Sequence, residues 1–374
     1  MRHILIDGTP VSRQMDGLTQ YILNVVLRLD MSFRYTLLLR PNQCPERYLQ
    51  KLKKTPIYIE EVDIAPIGPL REIQFARYMR SHCDFDAAFI PSNQYPLCLR
   101  IPVVYVVHDL IYEQFPEQLG ALSRLKRWYL RRVLRWGLYR ANQVVAVSNY
   151  TRQEIFKYHG EQLAGKITVV YEGWEHLLDN ISVEEELSTK IDFKHYLLYV
   201  GSSRGHKNLS RLLSAMQKVC CTLPKDTGLV IVGNEKMFTK KQLEKIQEIN
   251  VLRKTVQLTG WLTDEKLAYC FQCAKGLIFP SLCEGFGIPV LEAYYYHLPL
   301  LLSNQSALPE VAGEAAIYFT PTDIGDMARV ISAFFENQDY SDLIEQQQQR
   351  LKLYSWQKTA IQITQILQSI WDIK

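Results

Sequence analysis

Short apolar runs alternate with amphipathic helical stretches along this chain, and the alternation occurs twice. In the first half, the predicted strands are residues 3–7, 35–40, 87–90, 102–107, 143–147 and 167–170. In the second half, they are residues 196–200, 228–232, 255–258, 276–279, 299–302 and 316–319. Between the runs, apolar residues recur at helical spacing, as in residues 21–29. This alternation predicts an α/β fold with parallel sheets and crossover helices.

The chain is long enough for two such domains, each with its own core, because it has 374 residues. We expect a first domain at 1–172, a polar linker rich in Glu and Asp at 173–195, and a second domain at 196–355. Residues 356–374 are expected to form a final amphipathic helix. The formal net charge of +4 is too small to indicate a nucleic acid partner, and none is expected.

One predicted strand, at 276–279, leads into a loop with a carboxylate and two glycines, Glu284, Gly285 and Gly287. The helix that follows carries a second carboxylate, Glu292. Free amides at a helix N-terminus favour anions and hydroxyl-rich ligands, and ligands of α/β sheets bind beyond the carboxyl ends of the strands. Ionised carboxylates accept hydrogen bonds from sugar hydroxyls. The segment therefore predicts a polyol site, and a helix-capping loop is the alternative.

The letters Glu284-Gly-Phe-Gly-Ile-Pro-Val-Leu-Glu292 resemble the E-x7-E segment of family 4 glycosyltransferases. Residues 298–304 and 308–313 are also similar to the next strand and loop of that family. The resemblance implies the GT-B fold, in which two Rossmann-like doubly wound domains face each other across a cleft. It also implies that the C-terminal helix returns to pack on the first domain.

The resemblance places a nucleotide-sugar donor on the second domain. Glu284, with the amides of Phe286 and Gly287, is expected to hold sugar hydroxyls, and Glu292 is expected to hold the ribose hydroxyls. The turn containing Trp261 is expected beside the nucleobase. The implied donor-binding residues are Gly17, Ser202, Arg204, Lys207, Trp261, Leu262, Glu284, Gly285, Phe286, Gly287, Ile288 and Glu292.

Lys207 lies in Gly201-Ser-Ser-Arg-Gly-His-Lys-Asn208, directly after the first strand of the second domain. The segment is similar to a family pattern whose Lys neutralises the donor diphosphate, the leaving group of the reaction. Many members have an Arg just before this Lys or directly after the Gly. Here those positions are His206 and Ser202, so Arg204 is predicted as the second cation, with a solvated loop charge as the alternative.

The first domain supplies two further candidates. Gly17 stands in a loop where the family has two glycines that cover the phosphates, and a plain helix N-terminus is the alternative. His108 and Asp109 follow the run at 103–107 and resemble the V-H-D segment that meets the reacting sugar. His108 can bond the primary hydroxyl of the sugar or the attacking group, or it can be structural. The resemblance implies that His108, Glu284 and Lys207 carry the catalysis.

Ser148 and Asn149 also follow a first-domain strand, and their expected place is near the cleft, with helix capping as the alternative.

No metal and no cofactor are expected. Asp84 and Asp86 match a D-x-D metal motif by letters, but they precede a strand instead of following one. Lysine and backbone dipoles can stabilise a leaving diphosphate without a metal. The eight cysteines are expected to be reduced thiols, and the CxxC of Cys270 and Cys273 is expected to be core packing.

The most basic stretch is residues 121–140. One face of the predicted helix carries Arg124, Arg127, Arg131 and Arg135, and the stretch also contains Lys126, Arg132, Trp128 and Trp136. Its predicted apolar face is Leu125, Tyr129, Val133 and Trp136. A basic amphipathic helix of this kind indicates an anionic membrane surface as a partner. A solvated helix whose apolar face is domain core is the alternative, and RNA binding is a weaker one.

These features predict a retaining, metal-independent hexosyltransferase that uses GDP-mannose or a UDP-sugar. Its acceptor is expected to be a saccharide, lipid-linked, in the synthesis of a bacterial surface polysaccharide such as O-antigen, capsule or lipopolysaccharide. No signal peptide and no membrane span is evident, so a cytoplasmic location, peripheral on the inner membrane face, is expected. A GT-B sugar-nucleotide epimerase and a non-catalytic partner subunit are the alternatives.

Overall fold

Two β-sheets organise the chain in its computed structural model, which describes residues 1–115, 123–180, 190–337 and 339–371. The strands of the first sheet are β1 (His3–Asp7), β2 (Arg34–Leu39), β3 (Tyr58–Glu61), β4 (Ala87–Ile90), β5 (Val103–Val107), β6 (Gln143–Ala146) and β7 (Ile167–Val169). The strands of the second sheet are β8 (His195–Val200), β9 (Thr227–Val232), β10 (Val256–Leu258), β11 (Gly276–Phe279), β12 (Leu300–Ser303) and β13 (Ile317–Phe319).

Helices connect these strands. In the first half they are α1 (Gly17–Val26), α2 (Glu46–Leu52), α3 (Pro69–Ser81), α4 (Ile111–Gln114), α5 (Ser123–Arg140) and α6 (Asn149–His159). They continue with α7 (Leu209–Val219), α8 (Lys240–Leu252), α9 (Asp264–Cys273), α10 (Ile288–Tyr295), α11 (Leu308–Ala312), α12 (Ile324–Glu336), α13 (Ser341–Leu351) and α14 (Trp356–Ser369). Short 3-10 helices lie at Glu161–Lys166, Glu175–Asn180, Gly205–Lys207 and Glu235–Met237.

The strand order is β3-β2-β1-β4-β5-β6-β7 in the first sheet and β10-β9-β8-β11-β12-β13 in the second. The strands of both sheets pair in parallel. The order reverses between β1 and β4 and again between β8 and β11. Loops after these strands form topological switch points, where α/β sheets bind ligands. The predicted fold class, two doubly wound Rossmann-like units, is confirmed.

The central strands are buried on both faces. Every residue of β5, β11 and β12 is buried. Helices cover both faces of a parallel sheet, so such strands read as continuous apolar runs instead of alternating ones. This is why these strands could be predicted from hydrophobicity alone.

The chain divides into two compact units. Unit 1 comprises Met1–Gly173 together with Ser355–Lys374, and unit 2 comprises Trp174–Tyr354. Each unit contains one of the sheets. The predicted linker at 173–195 includes residues 181–189, which lie outside the described part of the chain.

Helix α14 belongs to unit 1, where it packs against α1. Trp356 is fully buried and meets the ring of Tyr21 edge-on at 5.9 Å. A Cβ atom on Gly173 would lie 2.0 Å from the backbone nitrogen of Trp356, so only glycine permits this approach. The predicted C-terminal helix thus packs within unit 1, and the last three of its residues, 372–374, lie outside the described part.

The sequence predicts no strand at Tyr58–Glu61, where the structure has β3. This strand pairs with β2 at the edge of the first sheet. None of its four residues is buried, so no apolar run marks it in the sequence.

Helix α5 packs on the core of unit 1 with part of its predicted apolar face, since Val133 is buried and Tyr129 packs against the core. Leu125 and Trp136 are 71% and 40% exposed, so the alternative that this face is domain core does not hold for these two residues. The buried apolar side chains of the helix are Leu130, Val133, Leu134 and Leu138.

Gly137 of α5 packs closely against β5 and the loop before it. A Cβ atom at Gly137 would lie 2.7 Å from Tyr105 Cε1 and 2.8 Å from Tyr95 Cβ. A pattern based on hydrophobicity does not mark glycine as a core residue, so it does not signal this close packing. The described part of the predicted basic stretch begins at Ser123, since residues 121 and 122 lie outside it.

Candidate functional site

Lys207 and Glu284 meet at the switch point of the second sheet. Lys207 Nζ lies 2.7 Å from Glu284 Oε1, and both side chains are largely buried. Lys207 follows β8 and Glu284 follows β11, and these two strands are neighbours in the sheet. The carboxyl ends of neighbouring parallel strands lie at the same edge of the sheet, so the loops that follow them are adjacent. This is why two residues distant in sequence come into contact. Lys207 Nζ also lies 5.2 Å above the ring of Phe279.

Asn208 and its neighbour join the two loops. Asn208 Nδ2 donates to the carbonyl oxygens of Pro280, at 3.0 Å, and Pro321, at 2.7 Å, and the backbone of Asn208 is left-handed with φ of 59°. The amide of Leu282 donates to the carbonyl oxygen of His206 at 2.7 Å. Because these bonds are buried, they hold the lysine loop in a fixed register against the glutamate loop.

The glutamate loop ends at the N-terminus of α10. Gly287 precedes that helix with φ of 107° and ψ of 61°, and a Cβ atom there would lie 2.8 Å from Leu308 Cδ2. The side chains of Phe286 and Ile288 are buried, while Gly285 is half-buried. Phe286 and Gly287 can therefore offer a ligand backbone amides but no exposed side chain.

Ser306 supports the same loop from outside it. The amide of Glu284 donates to Ser306 Oγ at 3.1 Å, and Ser306 has a left-handed backbone with φ of 62°. Both features fix the position of the Glu284 backbone.

Glu292 lies on α10, after the loop that carries Glu284. Its Oε1 lies 3.8 Å from Nε2 of His176, a buried side chain in the 3-10 helix Glu175–Asn180. The Glu292 side chain is 18% exposed, so it remains accessible to a ligand. No sequence pattern signalled His176.

Arg204 is exposed, whereas Ser202 is half-buried. Burial lowers the pKa of His206 to about 4, the charges of Lys207 and Arg204 act in the same direction, and Glu284 opposes them. His206 is thus neutral at neutral pH. Lys207 and Arg204 are the cations that this loop can offer a diphosphate.

The turn after β10 contains the predicted nucleobase contacts. Gly260 has φ of 79° and bridges to Gly233 in an antiparallel pair. Trp261 is 61% exposed and Leu262 is half-buried. An exposed indole beside a backbone turn can stack on a base.

Gly17 is the first residue of α1 and is exposed. The side chain of Asp16 caps this helix by accepting from the amide of Thr19 at 2.8 Å. A carboxylate at this helix N-terminus already satisfies one of its free amides.

Both ring nitrogens of His108 have partners in unit 1. Nδ1 lies 3.5 Å from Glu172 Oε1, and Nε2 lies 3.0 Å from the carbonyl oxygen of Pro91. Burial alone lowers the pKa of His108, but the hydrogen bond and charge of Glu172, aided by Pro91, outweigh it and raise the pKa. Since both partners are acceptors, the protonated ring satisfies them best.

The loop around His108 is also held from its backbone. Asn93 Oδ1 accepts from the His108 amide at 2.9 Å, and Asn93 Nδ2 donates to the carbonyl oxygen of Asp109 at 3.0 Å. The edge of the Tyr21 ring meets the His108 ring at 4.7 Å. Sequence reasoning missed Glu172, although its position just beyond a predicted strand end could have marked it.

Ser148 caps α6 by accepting from the Thr151 amide at 3.0 Å, which is the capping alternative. Asn149 Nδ2 donates to the Tyr171 hydroxyl at 2.9 Å. Thr151 Oγ1 donates to the carbonyl oxygen of His108 at 3.3 Å, so the start of α6 adjoins the His108 loop.

Asp84 and Asp86 lie at the amino-terminal edge of the first sheet. Asp86 Oδ2 accepts from the His3 amide at 2.7 Å, and Asp84 Oδ2 lies 3.3 Å from His3 Nδ1. Within the described ranges, no group of three or more His, Cys, Asp and Glu side chains is arranged to hold a metal ion. The cysteines are free thiols, of which Cys270 is buried and Cys273 is exposed.

Two family models match this chain. The model for glycosyl transferases group 1 matches residues 184–351, and the model for glycosyltransferase family 4 matches residues 15–175. Each model therefore covers most of one structural unit.

Curated relatives include two Escherichia coli proteins. The serotype-specific mannosyltransferase WbdA is 27% identical over 311 residues, which are 80% of this chain and 37% of WbdA. The O-antigen chain mannosyltransferase B is 24% identical over 323 residues, or 84% of this chain and 81% of that protein. The chain thus spans little more than a third of the length of WbdA.

Solved structures share the fold over the full chain. Anabaena HepE in complex with UDP and glucose superposes with a TM-score of 0.75 at 17% identity, covering 99% of this chain and 100% of HepE. WaaG, a glycosyltransferase involved in lipopolysaccharide biosynthesis, superposes with a TM-score of 0.67 at 16% identity, covering 97% of this chain and 99% of WaaG.

Proposed function

Because this chain belongs to the family 4 glycosyltransferases and has their GT-B fold, we propose that it transfers a hexose from a nucleotide-diphosphate sugar to a saccharide acceptor. The proposed donor is GDP-mannose or a UDP-sugar. Mannose is supported by the names of the E. coli relatives, and UDP by the ligand of HepE. The proposed acceptor is a lipid-linked saccharide of a surface polysaccharide such as O-antigen or lipopolysaccharide.

The contact between Lys207 and Glu284 carries this proposal. It brings a cation and a hydroxyl acceptor together at a switch point, beside the N-terminus of α10. A sugar diphosphate needs both groups within one site: a cation for the diphosphate and a carboxylate for the sugar hydroxyls. In the bound state, Glu284 accepts from sugar hydroxyls, and the Phe286 and Gly287 amides donate to the ligand.

We assign the remaining donor contacts by the same reasoning. Glu292 would accept from the ribose hydroxyls, and Arg204 would add charge at the diphosphate beside Ser202. Trp261 and Leu262 would face the base. The contribution of Gly17, whose helix is already capped by Asp16, remains a prediction.

The proposed reaction retains the configuration of the anomeric carbon. The acceptor hydroxyl oxygen bonds to that carbon on the face from which the diphosphate leaves. The bond between the carbon and the diphosphate oxygen breaks, its electron pair stays with the nucleoside diphosphate, and the hydroxyl proton passes to a phosphate oxygen. Lys207 supplies positive charge to the leaving group, so we propose that no divalent metal and no cofactor are needed. The role of His108 toward the reacting sugar stays a prediction.

A membrane surface is the proposed location of this reaction. No helix of the described residues is long and apolar enough to cross a membrane. The outer side of α5 exposes Trp128 (62%), Leu125 and Trp136 next to arginines. Exposed aromatic and basic side chains on one helix suit an anionic lipid interface, here the cytoplasmic face of the inner membrane.

The test is a donor screen followed by a transfer assay. Binding of a donor stabilises the folded state by mass action, so GDP-mannose or one of a set of UDP-sugars should raise Tm. The donor that raises it should label a lipid-linked saccharide extract, in the presence of EDTA, with retention at the new linkage by NMR. A chain that binds no sugar nucleotide contradicts the proposal. A chain that epimerises the donor without any acceptor is an epimerase instead.

A further inference from the structure

A cavity of about 370 Å³ in unit 1 is lined mainly by arginine side chains. Its volume lies within the roughly 300–1,000 Å³ of typical small-ligand sites. The lining residues are Glu113, Arg124, Arg127, Trp128, Arg131, Arg132, Arg135 and His159, and we call this cavity the arginine pocket. Five of the lining residues are thus arginines, and one is a glutamate.

The positive charge of the arginine pocket is not neutralised by the described protein residues. Glu113 is almost fully buried and pairs with Arg131, whose Nε lies 2.7 Å from Glu113 Oε1. Among the described residues, no carboxylate lies within ion-pair distance of the other four arginines. Like charges gathered in this way repel one another, so an anionic ligand would relieve the repulsion.

Two buried nitrogen atoms of the pocket make no hydrogen bond to the described residues. They are Arg127 Nε and His159 Nε2. Such groups are costly unless something satisfies them. Burial is the main reason that the pKa of His159 is lowered to about 4, and the charges of Arg135 and Arg131 lower it further.

The arginine pocket adjoins the His108 loop. Glu113 and Arg131 also line a smaller neighbouring cavity, together with Asn93 and Asp109. Asn93 is the residue that bonds both the His108 amide and the Asp109 carbonyl. A ligand in the pocket would therefore lie next to the strand-end loop that holds His108.

We propose that the arginine pocket binds the phosphate or diphosphate group of the acceptor. Guanidinium groups bind phosphate oxygens with paired, charge-assisted hydrogen bonds, and several of them suit a polyvalent anion. The inference rests on the proposed function, because it assigns the phosphate to the acceptor of the transfer. A lipid diphosphate and a membrane headgroup share this chemistry, so the test must distinguish them.

The test compares two double variants of the full chain. R124Q/R135Q removes two exposed arginines of the pocket, neither of which holds an ion pair in the described structure. K126Q/R140Q removes the same charge from exposed positions of the same helix that do not line the pocket. The ring resonances of His159, assigned with H159Q, report on the pocket itself by NMR, independently of activity.

Inorganic pyrophosphate should raise the pKa of His159 by at least one unit in the unmodified chain and in K126Q/R140Q. In R124Q/R135Q, the apparent pyrophosphate Kd from the same titration should rise at least tenfold. No response of His159 in the unmodified chain overturns the proposal, and so does an equal loss in both variants.

Two further probes separate the sources of phosphate. Farnesyl diphosphate should raise the pKa of His159 at a lower concentration than vesicles of phosphatidylcholine with phosphatidylglycerol. Vesicles of pure phosphatidylcholine should leave this pKa unchanged. Anionic vesicles that act more strongly than either diphosphate overturn the assignment to the acceptor. If His159 responds to diphosphates but the chain binds no sugar nucleotide, the proposed function is contradicted and the phosphate site is supported. If the chain transfers sugar but no diphosphate changes the pKa of His159, only the phosphate-site proposal is contradicted.

Discussion

Lys207 Nζ lies 2.7 Å from Glu284 Oε1, although 77 positions separate the two residues in the sequence. The Lys207 side chain is 21% exposed and that of Glu284 is 12% exposed. The pair is thus shielded from water yet can still be reached by a ligand. On binding, a diphosphate would compete with Glu284 for the lysine, which frees the carboxylate for sugar hydroxyls.

Replacing this lysine should weaken donor binding strongly. Lys207→Ala would remove the proposed charge-assisted hydrogen bond to the diphosphate, and a bond of about 1.5–3 kcal/mol corresponds to roughly 10- to 150-fold in Kd. Calorimetric titration with the donor found in the screen measures it. Lys240→Ala is the matched control, since Lys240 pairs with Glu244 at 3.6 Å on the surface of α8. Equal donor affinity in both variants would contradict the assignment.

Replacing Glu292 and replacing Glu284 should weaken the binding of different sets of ligands. Glu292→Gln should weaken both the sugar nucleotide and the free nucleoside diphosphate about tenfold, because both contain the ribose. Glu284→Gln should weaken the sugar nucleotide only, since its proposed partners are on the sugar. Titrating each variant with both ligands checks this. A Glu284→Gln variant that loses affinity for the free nucleoside diphosphate to the same degree would sink the division of roles.

Stability should fall at alkaline pH through His108. Its pKa is raised in the folded state, so the folded chain holds the proton more tightly than the unfolded chain. The resulting stabilisation is complete below the ordinary pKa of 6.5 and is lost as pH rises through the raised value. Urea unfolding between pH 6 and 9 measures the slope.

Glu172→Gln should flatten that slope, because it removes the charge that raises the pKa of His108. Glu161→Gln, which removes an exposed carboxylate from the same unit, should leave the slope unchanged. An unaltered slope in Glu172→Gln would show that the ion pair is not the cause.

Alanine should be poorly tolerated at Gly287. Its left-handed backbone and the 2.8 Å approach to Leu308 Cδ2 together should cost about 1–3 kcal/mol of unfolding free energy. Gly165→Ala is the control, since no atom lies within 4 Å of a Cβ built there. Urea unfolding of both variants checks the prediction, and a loss of similar size at Gly165 would refute it.

The parts of the fold that the sequence predicted share a physical cause. Buried parallel strands are continuous apolar runs, so those of β5, β11 and β12 were evident from hydrophobicity. Lys207 and Glu284 could be expected to meet, because strand ends of one sheet share an edge. Strand β3 was missed since it lies at an edge and none of its residues is buried.

The partners of the site were harder to foresee. The pairing of His108 with Glu172 and of Glu292 with His176 depends on the packing of loops, which no local periodicity encodes. The close packing of α5 on Tyr105 depends on Gly137, which hydrophobicity does not mark as a core residue. The hydrophobic pattern of the sequence therefore could not predict contacts between distant loops or close approaches of the backbone.

Since Trp356 fills a space beside Tyr21, residues 1–173 cannot close their own core. During translation, Trp174–Tyr354 must emerge from the ribosome before α14 can arrive. Until α14 is available, unit 1 should keep an open apolar groove that chaperones can bind. Unit 2 can already fold during this time. The fold of unit 1 should therefore be completed only when α14, which follows unit 2 in the sequence, packs against α1.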